Sequence, residues 1–91
     1  MPQLINIAEV DDLTKWEQGF RTHADLFRSM AGTRVTYALG EHNRVAVCLE
    51  TSDLETCMKV FNSPATAEAM KSDGVKRESV EVFVLDKEVK L

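Results

Sequence analysis

Along the chain, apolar residues alternate between two periods. Residues 4 to 10 carry Leu4, Ile5, Ile7 and Val10 around a single Asn6, which predicts a strand. The acidic pair Asp11-Asp12 follows, and its side chains suit the exposed amides at a helix start. Leu13, Trp16, Phe20, His23, Phe27 and Met30 then recur at steps of three and four, which predicts one helix with a single apolar face. Gly32 is the expected terminator, as a residue free to take positive φ. Residues 33 to 40 and 44 to 50 alternate with a period of two around the turn Gly40-Glu41-His42-Asn43, predicting an antiparallel hairpin.

Ser52-Asp53-Leu54-Glu55 matches a capping box, with Ser52 at the cap and Glu55 reaching back to it. A helix through Leu54, Cys57, Met58 and Phe61 follows, and Pro64 must end it. Ser63 at a cap and Pro64 at the first helical position begin another, shorter helix that stops near Gly74. Residues 75 to 85 read as one long final strand, and the charged segment from Asp86 to Leu91 as an extension.

The order strand–helix–strand–strand–helix–strand predicts an α+β, ferredoxin-like βαββαβ domain spanning residues 1–91, with a four-stranded antiparallel sheet and its helices on one face. Neither side of the strands is cleanly polar: Val45, Val47 and Leu49 oppose Ala46 and Cys48, while Val80, Val82 and Val84 oppose Phe83 and Leu85. A sheet face meant for water alternates more sharply. The open face is therefore expected to pack against a second copy in a symmetric homodimer.

The 91 residues carry 11 Lys and Arg against 15 Asp and Glu, a net charge of −4. The basic residues are scattered and only Lys76-Arg77 are adjacent, which argues against nucleic-acid binding. No apolar run approaches membrane-spanning length, and the first residues lack the basic flank of a signal peptide. A soluble, cytoplasmic protein is the expectation. Cys48 and Cys57 are too few for a disulfide framework and match no zinc spacing, so both are read as reduced, buried, small apolar residues. The sequence calls for no metal and no cofactor.

Four residues carry candidate chemistry. His23 lies on the aromatic stripe, where an imidazole would point between helix and sheet and serve as the catalytic acid or base. Trp16, near the helix start, can line a cavity mouth. Tyr37 is the sole tyrosine and its hydroxyl needs a partner or a ligand. Asn6 interrupts an apolar strand, and its amide must be bonded structurally or by a ligand. His42 in the hairpin turn reads as solvated, and Glu17–Arg21 and Asp25–Arg28 as helical ion pairs on an outer face.

The stretch Phe61-Asn62-Ser63-Pro64-Ala65-Thr66-Ala67-Glu68-Ala69-Met70-Lys71, leading to Gly74-Val75 and an apolar last strand, resembles the broken helix and final strand of the dimeric α/β-barrel proteins. The antibiotic-biosynthesis-monooxygenase-like domains belong to that group, and the likeness covers nearly the whole chain. The resemblance implies a ferredoxin-like dimer and admits cofactor-independent monooxygenases, haem-degrading enzymes, isomerases and decarboxylases. Haem-degrading members join a first-strand Asn, which Asn6 resembles, to a Trp and a His from the second half; here neither residue type follows Asn43. The expectation is a pocket for an apolar or aromatic small molecule lined by Trp16, His23, Tyr37 and Asn6, with a monooxygenase-like or isomerase-like activity. The alternative is a non-catalytic dimeric regulatory or protein-interaction module whose surface binds a protein partner.

Overall fold

A computed structural model describes residues 2–91. Strands β1 (Gln3–Glu9), β2 (Gly32–Leu39), β3 (Arg44–Thr51) and β4 (Glu81–Leu85) form one antiparallel sheet in the order β2-β3-β1-β4. Helices α1 (Leu13–Phe20), α2 (Ala24–Ser29), α3 (Leu54–Phe61) and α4 (Pro64–Ser72) cross over between strands. Their order yields the predicted α+β, ferredoxin-like sheet, with the two central strands, β1 and β3, supplied by opposite halves of the chain.

Register decides which residues meet the helices. Leu4 pairs with Leu49 and Val84, Asn6 with Val47 and Val82, and Ala8 with Val45, so these residues share one face. Leu4, Ala8, Val45, Val47 and Leu49 are buried there. Ile5, Ala46, Cys48, Phe83 and Leu85 fall on the other face, where Phe83 stays 51% exposed. The core divides into two parts. One gathers Ala8, Val10, Trp16, Val45 and Val47, and the other Leu4, Met30, Leu49 and Cys57. Asn6 stands between Leu4 and Ala8, where the two parts separate.

Several elements differ from the sequence expectations. The single first helix is two, because the chain breaks at 21–23 between α1 and α2. Gly19 is a poor helix former, and the Thr22 hydroxyl donates to the Gly19 carbonyl at 2.6 Å, competing with the helical ladder. The residue of positive φ at the end of α2 is Ala31, at 56°, and not Gly32. Gly32 is required for another reason: a Cβ there would stand 2.6 Å from the Phe27 carbonyl oxygen and 2.8 Å from Leu49 Cδ1.

The cap of α3 is shifted by one residue from the predicted box. Asp53 caps it, accepting from the Thr56 amide at 3.2 Å and the Thr56 hydroxyl at 2.8 Å. Ser52 is drawn away because its amide donates to the Ala31 carbonyl at 3.0 Å. Asp12 caps α1 through the Lys15 amide, as its position predicted.

The long last strand is also interrupted. Val75 makes an isolated bridge with Val10, a short 3-10 turn occupies Arg77–Ser79, and β4 begins only at Glu81. The Ser79 hydroxyl accepts from the Glu9 amide at 2.9 Å, taking a donor that a continuous strand would have used. Cys57 is fully buried as expected, but Cys48 lies half-buried on the open sheet face; both are free thiols. Among the described residues no helix is long and apolar enough to cross a membrane.

Candidate functional site

An apolar cavity of ≈ 70 Å³ lies between the helices and the sheet, where the two core clusters part. Trp16 and Phe20 of α1, Leu26 and Phe27 of α2, and Phe61, Ala69 and Met70 of the second helical pair wall it, with Leu4, Asn6, Val47 and Leu49 as its floor. The break after Phe20 does not spoil the inward stripe: Trp16, Phe20, His23, Phe27 and Met30 all line the cavity. Spacing predicted that face correctly although it predicted one helix. Trp16 is 2% exposed and stacks on Phe20 with centroids 4.5 Å apart.

Asn6 is the anomaly of this floor. Its Oδ1 is buried without a hydrogen-bond partner. Such a group costs about 1–3 kcal/mol, far more than an apolar side chain of the same shape. The cavity is where a partner would have to come from.

His23 opens α2 and faces Asp73, the residue that closes α4, with Nε2 to Oδ2 at 2.8 Å. Their side chains are 22% and 6% exposed. Asp73 was not foreseen; it stands 50 positions from His23, and no spacing rule joins them. Gly19 is its counterpart in space, because a Cβ there would fall 2.1 Å from Asp73 Oδ1. Among the described residues Asp73 is the only carboxylate on the cavity wall, and no Lys or Arg lines it. Thr66 adds a buried hydroxyl that donates to the Val60 carbonyl at 2.6 Å.

Tyr37 takes a different place from the expected one. It does not line the cavity but braces it from behind, with its ring 5.7 Å from Trp16 and 5.1 Å from Phe20. Its hydroxyl donates to Glu17 Oε2 at 2.6 Å and accepts from Arg21 Nη1 at 3.3 Å. The Glu17 carboxylate, held by the phenol proton, pushes the Tyr37 pKa above 10.0. Glu17 and Arg21 therefore meet through Tyr37 and form no direct ion pair among the described residues, while Asp25 and Arg28 do pair, at 2.8 Å. His42 is exposed in the hairpin, where it and Asn43 take φ of 59° and 57°, as a primed turn requires.

No cluster of three or more His, Cys, Asp or Glu able to hold a metal occurs among the described residues. The cavity's polar groups are thus the unpartnered Asn6 Oδ1, a His–Asp pair and the Thr66 hydroxyl, in an aromatic setting. That set can hold a hydrogen-bonding apolar molecule and exchange a proton with it.

No protein-family profile matches this sequence, and no curated protein does. Its fold has parallels among solved structures. An antibiotic-biosynthesis-monooxygenase-type protein of Bordetella bronchiseptica superposes with a TM-score of 0.77 at 18% identity, covering 97% of both chains. SnoaB, a cofactor-independent oxygenase of Streptomyces nogalater, superposes with a TM-score of 0.74 at 16% identity, over 99% of this chain and 95% of its own. An ethyl tert-butyl ether D family protein of Bacillus halodurans gives 0.65 at 15% identity, over 97% and 99%. At such identities likeness speaks for architecture, and function must be argued from the site. The chain has the ferredoxin-like α+β fold of the antibiotic biosynthesis monooxygenase-like proteins.

Proposed function

We propose that the chain works as a single ferredoxin-like domain, homodimeric through its open sheet face and cytoplasmic, that binds an apolar or aromatic small molecule in the helix–sheet cavity. The unpartnered Asn6 Oδ1 carries this reading, since a buried acceptor without a donor is a cost that a hydrogen-bond-donating ligand would remove. The wall favours a ligand that enters without negative charge, because among the described residues no Lys or Arg lines it to balance one. At ≈ 70 Å³ the cavity is smaller than the several hundred Å³ typical of ligand sites. Met30 and Met70, with three rotatable bonds each, are the side chains able to yield as it fills.

The activity proposed is that of a cofactor-independent enzyme of the monooxygenase or isomerase type, with His23 as its acid–base group. Asn6 orients the ligand, Trp16 stacks on it, and Tyr37 holds Trp16 in place from behind. The fold shared with SnoaB, itself a cofactor-independent oxygenase, supports the class.

Trp16 is the only tryptophan, so its fluorescence reports the cavity directly. Titration with 1-naphthol should quench it saturably, and both His23→Ala and Asn6→Leu should weaken that binding about tenfold or more. Equal affinity in all three proteins would reject the cavity as the ligand site.

A further inference from the structure

Asp73 is nearly closed off from water, and a buried carboxylate is tolerated only when a hydrogen-bonded partner compensates it. Its Oδ2 meets Nε2 of His23 at 2.8 Å. A carboxylate only accepts, so in the neutral ring the proton belongs on Nε2 and the lone pair on Nδ1. No protein partner for Nδ1 is found among the described residues, and His23 lines the cavity. Gly19 is part of the same arrangement: a Cβ there would lie 2.1 Å from Asp73 Oδ1 and 2.9 Å from its Cγ, so any side chain at 19 would displace the carboxylate. A third helix, α1, thereby leaves room for a contact made between the ends of α2 and α4.

We infer that Asp73 is a positioning residue, seated by Gly19, that fixes the His23 tautomer and leaves Nδ1 as the site's proton acceptor. The inference rests on the cavity being the ligand site. The step it prepares is simple: the O–H bond of an acidic hydroxyl breaks, an Nδ1–H bond forms, and the electron pair stays on oxygen. The resulting imidazolium is balanced across Nε2–H by the Asp73 carboxylate, much as a buried Asp orients the histidine of a catalytic triad.

The test has two arms on the full chain. Ring nitrogen NMR of the 15N-labelled wild type, with exposed His42 as internal reference, should show neutral His23 protonated on Nε2; protonation on Nδ1 would overturn the inference. The second arm uses 4-nitrophenol, whose ionised form absorbs at longer wavelength, in buffer acidic enough that the free phenol is mostly neutral. Asp73→Asn should lower the bound phenolate-to-phenol ratio about tenfold or more, the effect of losing an adjacent opposite charge. Gly19→Ala should move the ratio the same way, and His23→Gln should abolish the phenolate band.

An unchanged ratio in folded Asp73→Asn would overturn the inference. Should Asp73→Asn lose its circular dichroism signal, Gly19→Ala and the wild-type ring spectrum decide the matter. Failure of the wild type to bind 4-nitrophenol counts against the cavity reading alone, and the tautomer then decides the role of Asp73 separately.

Discussion

Asn6 concentrates the tension between stability and use in this protein. Its neighbours on the inner face of β1, Leu4 and Ala8, are buried in apolar clusters, while its own Oδ1 is buried with no partner. Replacing it by leucine removes the unsatisfied group and fills part of the cavity. Asn6→Leu should therefore raise unfolding free energy by about 1–3 kcal/mol in urea while weakening 1-naphthol binding. A fall in stability would show that the amide is satisfied in solution by something other than a ligand. Gly32 presents the opposite case. With the Phe27 carbonyl oxygen 2.6 Å from where a Cβ would stand, Gly32→Ala forces backbone to move and should cost about 1–3 kcal/mol, read by the same denaturation.

Helix ends govern behaviour at the scale of elements. Asp53 caps α3, and the hydrogen bonds from Thr56 hold its carboxyl below its ordinary value of 3.8. A depressed folded value means that the unfolded chain takes up the proton first, so the stabilisation is present above about 3.8 and fades as pH falls through the lower folded value. Wild type and Asp53→Ala should therefore differ in thermal midpoint at neutral pH, and the gap should close on acidification below that point. A gap that stays constant down to acid would exclude the carboxylate as its source. The capping pattern shows where local rules run out. Ser52 and Asp53 are both good caps, and the choice between them is made by the Ala31 carbonyl, which takes the Ser52 amide from across the fold.

The molecule as a whole exposes 6168 Å², against roughly 5300 Å² for a compact monomer of this mass. Part of the excess belongs to the tail, where Val89 and Leu91 are exposed, and part to the apolar open face of the sheet. An interface of about 800 Å² per partner, the standard size, would bring the figure back to that of an ordinary protein. Sedimentation equilibrium should give a dimer at micromolar concentration, and Ile5→Glu, at the centre of that face, should give a monomer. A wild-type monomer would remove the dimer from the proposed function.

Thiol labelling offers an independent check on the same surface. Cys48 on the open face should be protected in the wild type and react in Ile5→Glu. Cys57 should react only on unfolding, since it is inaccessible and burial pushes its thiol pKa up from 9.0. Labelling of Cys48 at the same rate in both proteins would place the interface elsewhere.

Strand and helix order, the hairpin turn, the inward aromatic face and the apolar character of both sheet faces follow from sequence alone, because each depends on residues within a few positions of one another. Trp16, Phe20 and Phe27 reach the cavity as their spacing predicts, even across a helix break that Gly19 and Thr22 impose. What the tertiary structure decided was every pairing over long distance. Tyr37 is drawn to Glu17 and Arg21, Ser52 to Ala31, Ser79 to Glu9, and Asp73 to His23 and Gly19. The reason is physical: periodicity sets which way a side chain points, whereas its partner is set by the crossovers and the sheet register, which no local pattern encodes.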